Sequence, residues 1–258
     1  MGNYELFKKQ IKGLIGIDLN YYKEQQMKRR IESLIRKNAC NSYEAYFAKL
    51  TSNKRLLEEF VSFLTINVTE FYRNPEQWQI FEDRIVPYLL NKFGKIINIW
   101  SAACSTGEEP YTVAMILSKY IPTNLINIYA TDIDERVLEI AKNGIYSDKQ
   151  VKNVPGDILN DNFMRTANNS LKISESIKKC VHYEKHDLLK DKYPEDMHLI
   201  ICRNMMIYLT QDAKIDMYRN FRDSLVKDGL LFIGSTENII RPQQFGFDNQ
   251  TTFFYKKK

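Results

Sequence analysis

The chain has little of what marks most alternative classes. No apolar run approaches the roughly 18 residues of a membrane span, and the first residues, MGNYELFKKQ, contain no apolar signal core, so export is not expected. Gly2 follows Met1, but Leu6 stands where a myristoylation signal needs Ser or Thr. The four cysteines, Cys40, Cys104, Cys180 and Cys202, are scattered without C-x-x-C spacing and read as reduced thiols of a cytoplasmic protein. The three histidines, His182, His186 and His198, lack ligand spacing, so no metal is expected. There is no G-x-G-x-x-G, which disfavours a nicotinamide dehydrogenase, and no repeat or low-complexity run. What is there is ordinary: 258 residues, 44% hydrophobic, net charge +5. That length is long for one domain and short for two large ones. The charge permits an acidic partner without demanding nucleic acid.

Up to about Gln79 the periodicity is helical. Met27, Ile31, Leu34 and Ile35 share one face of a helix over Tyr21–Lys37, whose other faces carry Lys23, Lys28, Arg29, Arg30, Arg36 and Lys37. Tyr43, Tyr46, Phe47 and Leu50 repeat the spacing behind Ser42, a candidate N-cap. Leu56, Leu57, Phe60, Val61 and Leu64 form a third stripe. Asn74-Pro75-Glu76-Gln77 reads as a further helix start, with Asn74 as cap and Gln77 closing a capping box. The linkage between domains is expected in that helix, giving a helical domain over 1–79 and an α/β domain over 80–258.

From Ile96 onward strands alternate with helices, as in a doubly wound sheet. The candidates are Ile96–Trp100, Ile126–Thr131, Cys180–Tyr183, His198–Cys202, Leu230–Gly234 and Thr252–Tyr255. The last follows too short a connection for a parallel crossover and is expected to enter antiparallel. Residues 147–185 exceed a plain crossover and predict an inserted small β subdomain, with Leu171-Lys172-Ile173 and Ile177–Val181 as its hairpin.

The stretch IINIWSAACSTGEEPYTVAMIL (96–117) joins a buried strand to a helix through a turn with acid at the helix start, and the next strand closes on Asp132. Strand, small-residue turn, helix and an acid ending the second strand make a nucleoside pocket. Glu108 and Glu109 stand where a pyrophosphate would need bare amides and a positive dipole. A cationic, phosphate-free ligand suits them better, and S-adenosylmethionine (SAM) fits that description. Glu109 is the candidate for its cationic methionyl end, Asp132 for the ribose hydroxyls, with Gly107 letting the backbone approach. Helix capping explains the two glutamates equally well. Asp187 and Leu188 are candidates for the adenine edge and ring. Asn204 and Tyr208 follow the fourth strand, at a place that lines the crevice in such sheets. The string CRNMMIY is not the Asp/Asn-Pro-Pro-Tyr/Phe loop used on amino groups of bases. Cys104 reads as a small turn residue.

Taken together, TINVTEFYRNPEQW, WSAACSTGEEPYT, ATDIDERVLEIAKNGIY, ICRNMMIY and LLFIGSTENI resemble, in order and spacing, the chemotaxis receptor methyltransferases of the CheR family. The resemblance covers nearly the whole chain. It implies an all-helical N-terminal domain and a Rossmann-like SAM-dependent methyltransferase domain with an inserted antiparallel β subdomain. It further implies methyl transfer from SAM, leaving S-adenosylhomocysteine (SAH), to glutamate side chains on the cytoplasmic helical bundle of chemoreceptors. On matching positions it implies that Asn67, Thr69 and Arg73 close over the cofactor from the N-terminal domain. Glu109, Asp132, Asp187, Leu188, Arg203 and Asn204 would line the pocket, and Arg73 and Tyr208 would serve the chemical step. The basic helix Tyr21–Lys37 would dock the acidic receptor bundle. Arg165–Leu171 is short and lacks a glycine-rich extension, which speaks against a bound receptor tail. An RNA methyltransferase and a SAM-binding scaffold without turnover are the rival readings.

Overall fold

The structure, a computed structural model, describes residues 2–258 and divides into two compact units. The first comprises residues up to Ile66 together with Met206–Asp216. It is built on α1 (Tyr4–Ile15), α2 (Glu24–Lys37), α3 (Tyr43–Ser52) and α4 (Lys54–Thr65). Asn3, Ser42 and Asn53 cap α1, α3 and α4 by accepting backbone N–H groups, so the expected Ser42 cap is present. The helices bury Phe7, Ile31, Tyr46 and Phe60, the last with its ring edge-on to those of Phe7 and Tyr46. Residues 206–216 belong here because Tyr22 bridges Leu209: Lys23 N–H donates to the Tyr208 carbonyl and Thr210 N–H to the Tyr21 carbonyl. Pairing at this distance in sequence is invisible to a reading of local periodicity.

The second unit contains α5 (Pro75–Ile80), which runs through a wide turn at Phe81–Ile85 into α6 (Val86–Phe93). Pro87 stands just past the widened turn, where an ordinary turn would clash with its ring. There follow β1 (Ile97–Ala102), α7 (Glu108–Leu117), β2 (Ile126–Asp132) and α8 (Glu135–Asn143). An insertion then carries β3 (Ile145–Tyr146), α9 (Asp148–Val151), α10 (Gly156–Asn162), β4 (Phe163–Arg165), β5 (Leu171–Ile173) and α11 (Glu175–Lys178). The chain finishes with β6 (Val181–Lys185), β7 (Met197–Cys202), α12 (Gln211–Ser224), β8 (Leu225–Ile233), β9 (Phe247–Thr251) and β10 (Phe254–Lys257).

The main sheet has seven strands in the order β6-β2-β1-β7-β8-β10-β9. The reversal of order at β1 and β7 is the switch point that opens a crevice at the strand carboxyl ends. The pairs from β6 to β8 are parallel, and β10 enters antiparallel to β8, as its short approach predicts. Strand β9, five residues reading FDNQT, carries no apolar alternation and escapes the sequence reading. In the core Phe81 stacks with Phe232 of β8, which stacks with Phe254 of β10, and Trp78 meets Phe81 and Phe232 edge-on.

Two expectations need correction. The insertion is antiparallel and three-stranded, but its order is β3-β5-β4, so Leu171–Ile173 pairs with Phe163–Arg165 and Ile145–Tyr146. Residues 175–178 are helical and Val181 begins the parallel strand β6, so no hairpin forms with Ile177–Val181. The compact units also part at Ile66, not within the helix at 75–93. Phe71, Trp78, Phe81 and Ile85 are fully or almost fully buried in the α/β core, which draws the whole Asn67–Phe93 stretch into that unit.

Candidate functional site

The crevice is built around the turn between β1 and α7. Ala103 and Ser105 adopt left-handed backbone, at φ +63 and +50, and Gly107 lies at +91. Left-handed conformation in residues bearing a Cβ costs about 1–2 kcal/mol each and persists only where the surroundings impose it. Asp132, at the end of the adjacent β2, holds the turn at Ser105. Its Oδ2 accepts the Ser105 N–H at 2.9 Å, and its Oδ1 accepts the Asp134 N–H at 3.0 Å. The carboxylate thus ties together the two loops that leave β1 and β2. Burial raises it from 3.8 to about 6, against the pull of those N–H groups.

Asn67 joins the same cluster. Its Nδ2 donates to Asp134 Oδ2 at 3.0 Å, while Asp134 Oδ1 caps α8 through the Arg136 N–H. Asn67 Oδ1 lies 3.5 Å from the Ser105 hydroxyl. The loop Asn67–Arg73 belongs to the α/β unit rather than the N-terminal unit, which corrects the expected origin of Asn67, Thr69 and Arg73. Its far end is fastened to the stem of the insertion. Phe71 N–H donates to the Gln150 carbonyl, Glu70 pairs with Lys152 at 2.8 Å, and the Phe71 ring meets those of Tyr146 and Phe163 edge-on. Thr69 is half-buried on this loop, and Arg73 Nη1 closes it by donating to the Val68 carbonyl at 2.7 Å.

Arg203, just past β7, is buried to 2% side-chain exposure and ties the loop to α7. It lies 3.3 Å from Glu109 Oε2 and donates to the Arg73 carbonyl, Asn74 Oδ1 and Gln77 Oε1. Its guanidinium sits 4.9 Å from the ring centroids of both Trp78 and Phe232. The capping-box expectation fails for this reason: Asn74 makes no side-chain cap, and Gln77 turns its oxygen to Arg203. Glu109 accepts from the Ser101 hydroxyl at 2.9 Å as well. Burial pushes its carboxyl up and Arg203 draws it back; since Arg203 stays protonated, the two form an ion pair. Glu108 is fully buried, its carboxylate accepting from the Thr106 hydroxyl and the Gln150 amide.

Gly107 also has a packing reason to be glycine. A Cβ there would come within 2.6 Å of the Tyr183 hydroxyl and 2.8 Å of the Ala141 side chain. Asp187 and Leu188 follow β6, which pairs with β2 up to Asp132, and His186 N–H donates to the Asp132 carbonyl. The Asp187 carboxylate accepts its own turn's Leu189 N–H and pairs with Lys190, while Leu188 is buried. Asn204 is left-handed at φ +61, with its N–H on Glu237. Tyr208 lies in the helical unit, half-buried. Arg30, in the same unit, donates to the Phe63 carbonyl and lies over that ring, so it is not a free surface charge of α2. Among the described residues no group of His, Cys, Asp or Glu could hold a metal, and no helix is long and apolar enough to cross a membrane.

Sequence reasoning missed Ser101, Gln77, Asp134 as the partner of Asn67, and Glu237. Ser101 carried a signal, a fully buried polar residue next to the end of β1. Glu237 lay within one of the resembling strings without a role assigned to it.

Residues 67–254 match the family model described as CheR methyltransferase, SAM binding domain, and residues 2–65 match that family's all-alpha domain. A chemotaxis protein methyltransferase of Listeria innocua is 38% identical over 99% of this chain and 97% of its own length. That of Listeria monocytogenes is 37% identical over the same shares, and that of Borreliella burgdorferi 33% identical over 87% of this chain and 83% of its own.

Proposed function

The chain belongs to the CheR methyltransferase family, and from that membership we propose that it transfers a methyl group from SAM to glutamate side-chain carboxylates of chemoreceptors, forming methyl esters in the cytoplasm. SAM is the cofactor of the family's binding domain. The turn's chemistry fits it: Asp132 and Glu109 offer acceptors, and Arg203, which a phosphate would need free, is already neutralised by Glu109. The observation that carries the reading is this union of Asn67, Ser105 and Asp132 at the ends of β1 and β2, inside a chain matched over both domains of the family.

Asp132 accepts the N–H groups of Ser105 and Asp134, with that of Ile133 also drawing its pKa down, and a carboxylate has about four acceptor sites. The capacity left over serves the ribose hydroxyls. Glu109 has sites left for the α-amine, and Asn67, Thr69, Asp187, Leu188, Arg203 and Asn204 complete the pocket. Bound SAM supplies an electrophilic methyl group on a sulfonium. The substrate glutamate, with an ordinary pKa of about 4.3, is already an anion at neutral pH, so no general base is needed. The protein's task is alignment, and proximity of this kind is worth roughly 7–11 kcal/mol. Arg73 takes a carboxylate, of the cofactor or of the substrate. Tyr208, a neutral donor, orients the attacking oxygen without blunting it. The exposed bases of α2, Arg29, Arg36 and Lys37 among them, meet the acidic receptor bundle.

Incubation with methyl-labelled SAM and receptor-containing membranes tests the proposal. Label on receptor protein that mild base releases is expected; base-stable label, or label on RNA, would contradict it.

A further inference from the structure

Beyond the residues that touch the cofactor, the end of the sheet holds a buried acid with no role so far. Glu237 is 3% exposed, and a single oxygen, Oε2, accepts the N–H of Asn204 at 2.7 Å and that of Gly234 at 2.9 Å. Those N–H groups stand just past the carboxyl ends of β7 and β8, neighbours whose last paired residues are Cys202 and Ile233. Asn204 has left-handed backbone at φ +61, which asparagine adopts more readily than most residues with a side chain, and its N–H in that conformation is held by Glu237. Gly234 shows how closely the three groups approach. A Cβ there would lie 2.6 Å from Glu237 Oε2, 2.9 Å from the Asn204 nitrogen and 2.9 Å from its side-chain Nδ2. The arrangement leaves no room for adjustment.

We propose that Glu237 is a positioning residue of the SAM site, its carboxylate fixing the Asn204 backbone so that the Asn204 amide faces the cofactor. The proposal rests on the SAM reading of the crevice. Hydrogen bonds from N–H to an ionised acceptor are stronger than neutral ones, which suits a buried acid to this task. Its sequence mark is the acid in GSTENI directly after β8.

The test separates positioning from general stabilisation. Glu237→Gln keeps an acceptor oxygen, whereas Glu237→Met keeps the length and removes it. With both variants folded by circular dichroism, Glu237→Met is expected to weaken SAH binding by about tenfold or more, for the loss of two charge-assisted bonds. The KM for SAM should rise in step, while kcat at saturating SAM and the KM for receptor stay within about twofold. Glu237→Gln should restore affinity to within about threefold. Gly234→Ala reaches the same contact from the other side and should also weaken SAH; it decides the matter if Glu237→Met does not fold. Wild-type SAH affinity in a folded Glu237→Met or Gly234→Ala protein, or equal losses in the Gln and Met variants, would overturn the positioning role alone. A wild-type protein that does not bind SAH would overturn the SAM reading itself.

Discussion

Replacing Asp132 by Asn separates what its carboxylate does for the fold from what it does for the ligand. Raising that carboxyl from 3.8 to about 6 disfavours the ionised form in the folded protein by about 3 kcal/mol, at about 1.4 kcal/mol per pH unit. Asn carries no such penalty. It does turn one amide NH2 toward either the Ser105 or the Asp134 N–H, which then loses its acceptor at a cost of about 1–3 kcal/mol. The two terms offset, so Asp132→Asn should melt within a few degrees of the wild type. Affinity behaves otherwise, because the ribose hydroxyls lose a charged acceptor worth about 1.5–3 kcal/mol per bond. Calorimetry should show SAH binding at least about tenfold weaker. The sign of the pH dependence follows from the direction of the shift. Because the folded pKa lies above the unfolded one, the group's contribution to stability is full below about pH 4 and is lost as pH rises through 6. SAH, which binds the ionised form, should bind more tightly across that window and release about half a proton at pH 6. Both the slope and the proton release vanish in Asp132→Asn. Unchanged affinity and unchanged proton release in that variant would refute the role given to Asp132.

Three further changes probe other parts of the site. Arg203→Met leaves Glu109 buried without its counterion and should cost about 3–5 kcal/mol in denaturant unfolding, while Arg203→Met with Glu109→Gln should recover most of that; an undiminished loss in the double variant would show that the bonds to the Arg73 carbonyl and Gln77 dominate. Tyr208→Phe should spare SAH affinity and lower kcat at saturating substrates by about tenfold, the equivalent of one contact of about 1.4 kcal/mol; wild-type turnover would return the residue to plain packing. Arg29→Glu with Arg36→Glu, both exposed on α2, should slow receptor methylation at low salt and flatten its salt dependence with SAH affinity intact; wild-type rates and wild-type salt dependence in the variant would remove α2 from docking.

The fold was legible where periodicity and burial coincide. β1 reads as a mostly apolar, buried strand because it lies at the centre of a parallel sheet, and α3 announces itself through Ser42. β9 and the partners of Leu171–Ile173 were not legible, since a strand of two to five residues leaves no period to count. The boundary at Ile66 was hidden for a related reason: Phe71, on a loop, and Trp78, on the helix after it, lie in an aromatic-rich stretch, and only tertiary packing assigns them to the α/β core. At the site, Asp132 could be placed from its position at the end of a strand, but the Ser105 N–H that it holds depends on a left-handed turn that no local signal marks. Arg203 was named through resemblance. Its burial against Trp78 and its grip on Gln77 come from segments more than a hundred residues away, beyond any spacing rule.

Mass spectrometry of receptor peptides after incubation with the protein and SAM, read residue by residue, tests the central claim most directly. The account predicts methyl groups on glutamate side chains, lost on mild base treatment, and absent when Arg73→Ala replaces the wild type. Methylation confined to lysine, to a chain terminus or to nucleic acid in the same mixture, with glutamate unmodified, would contradict it.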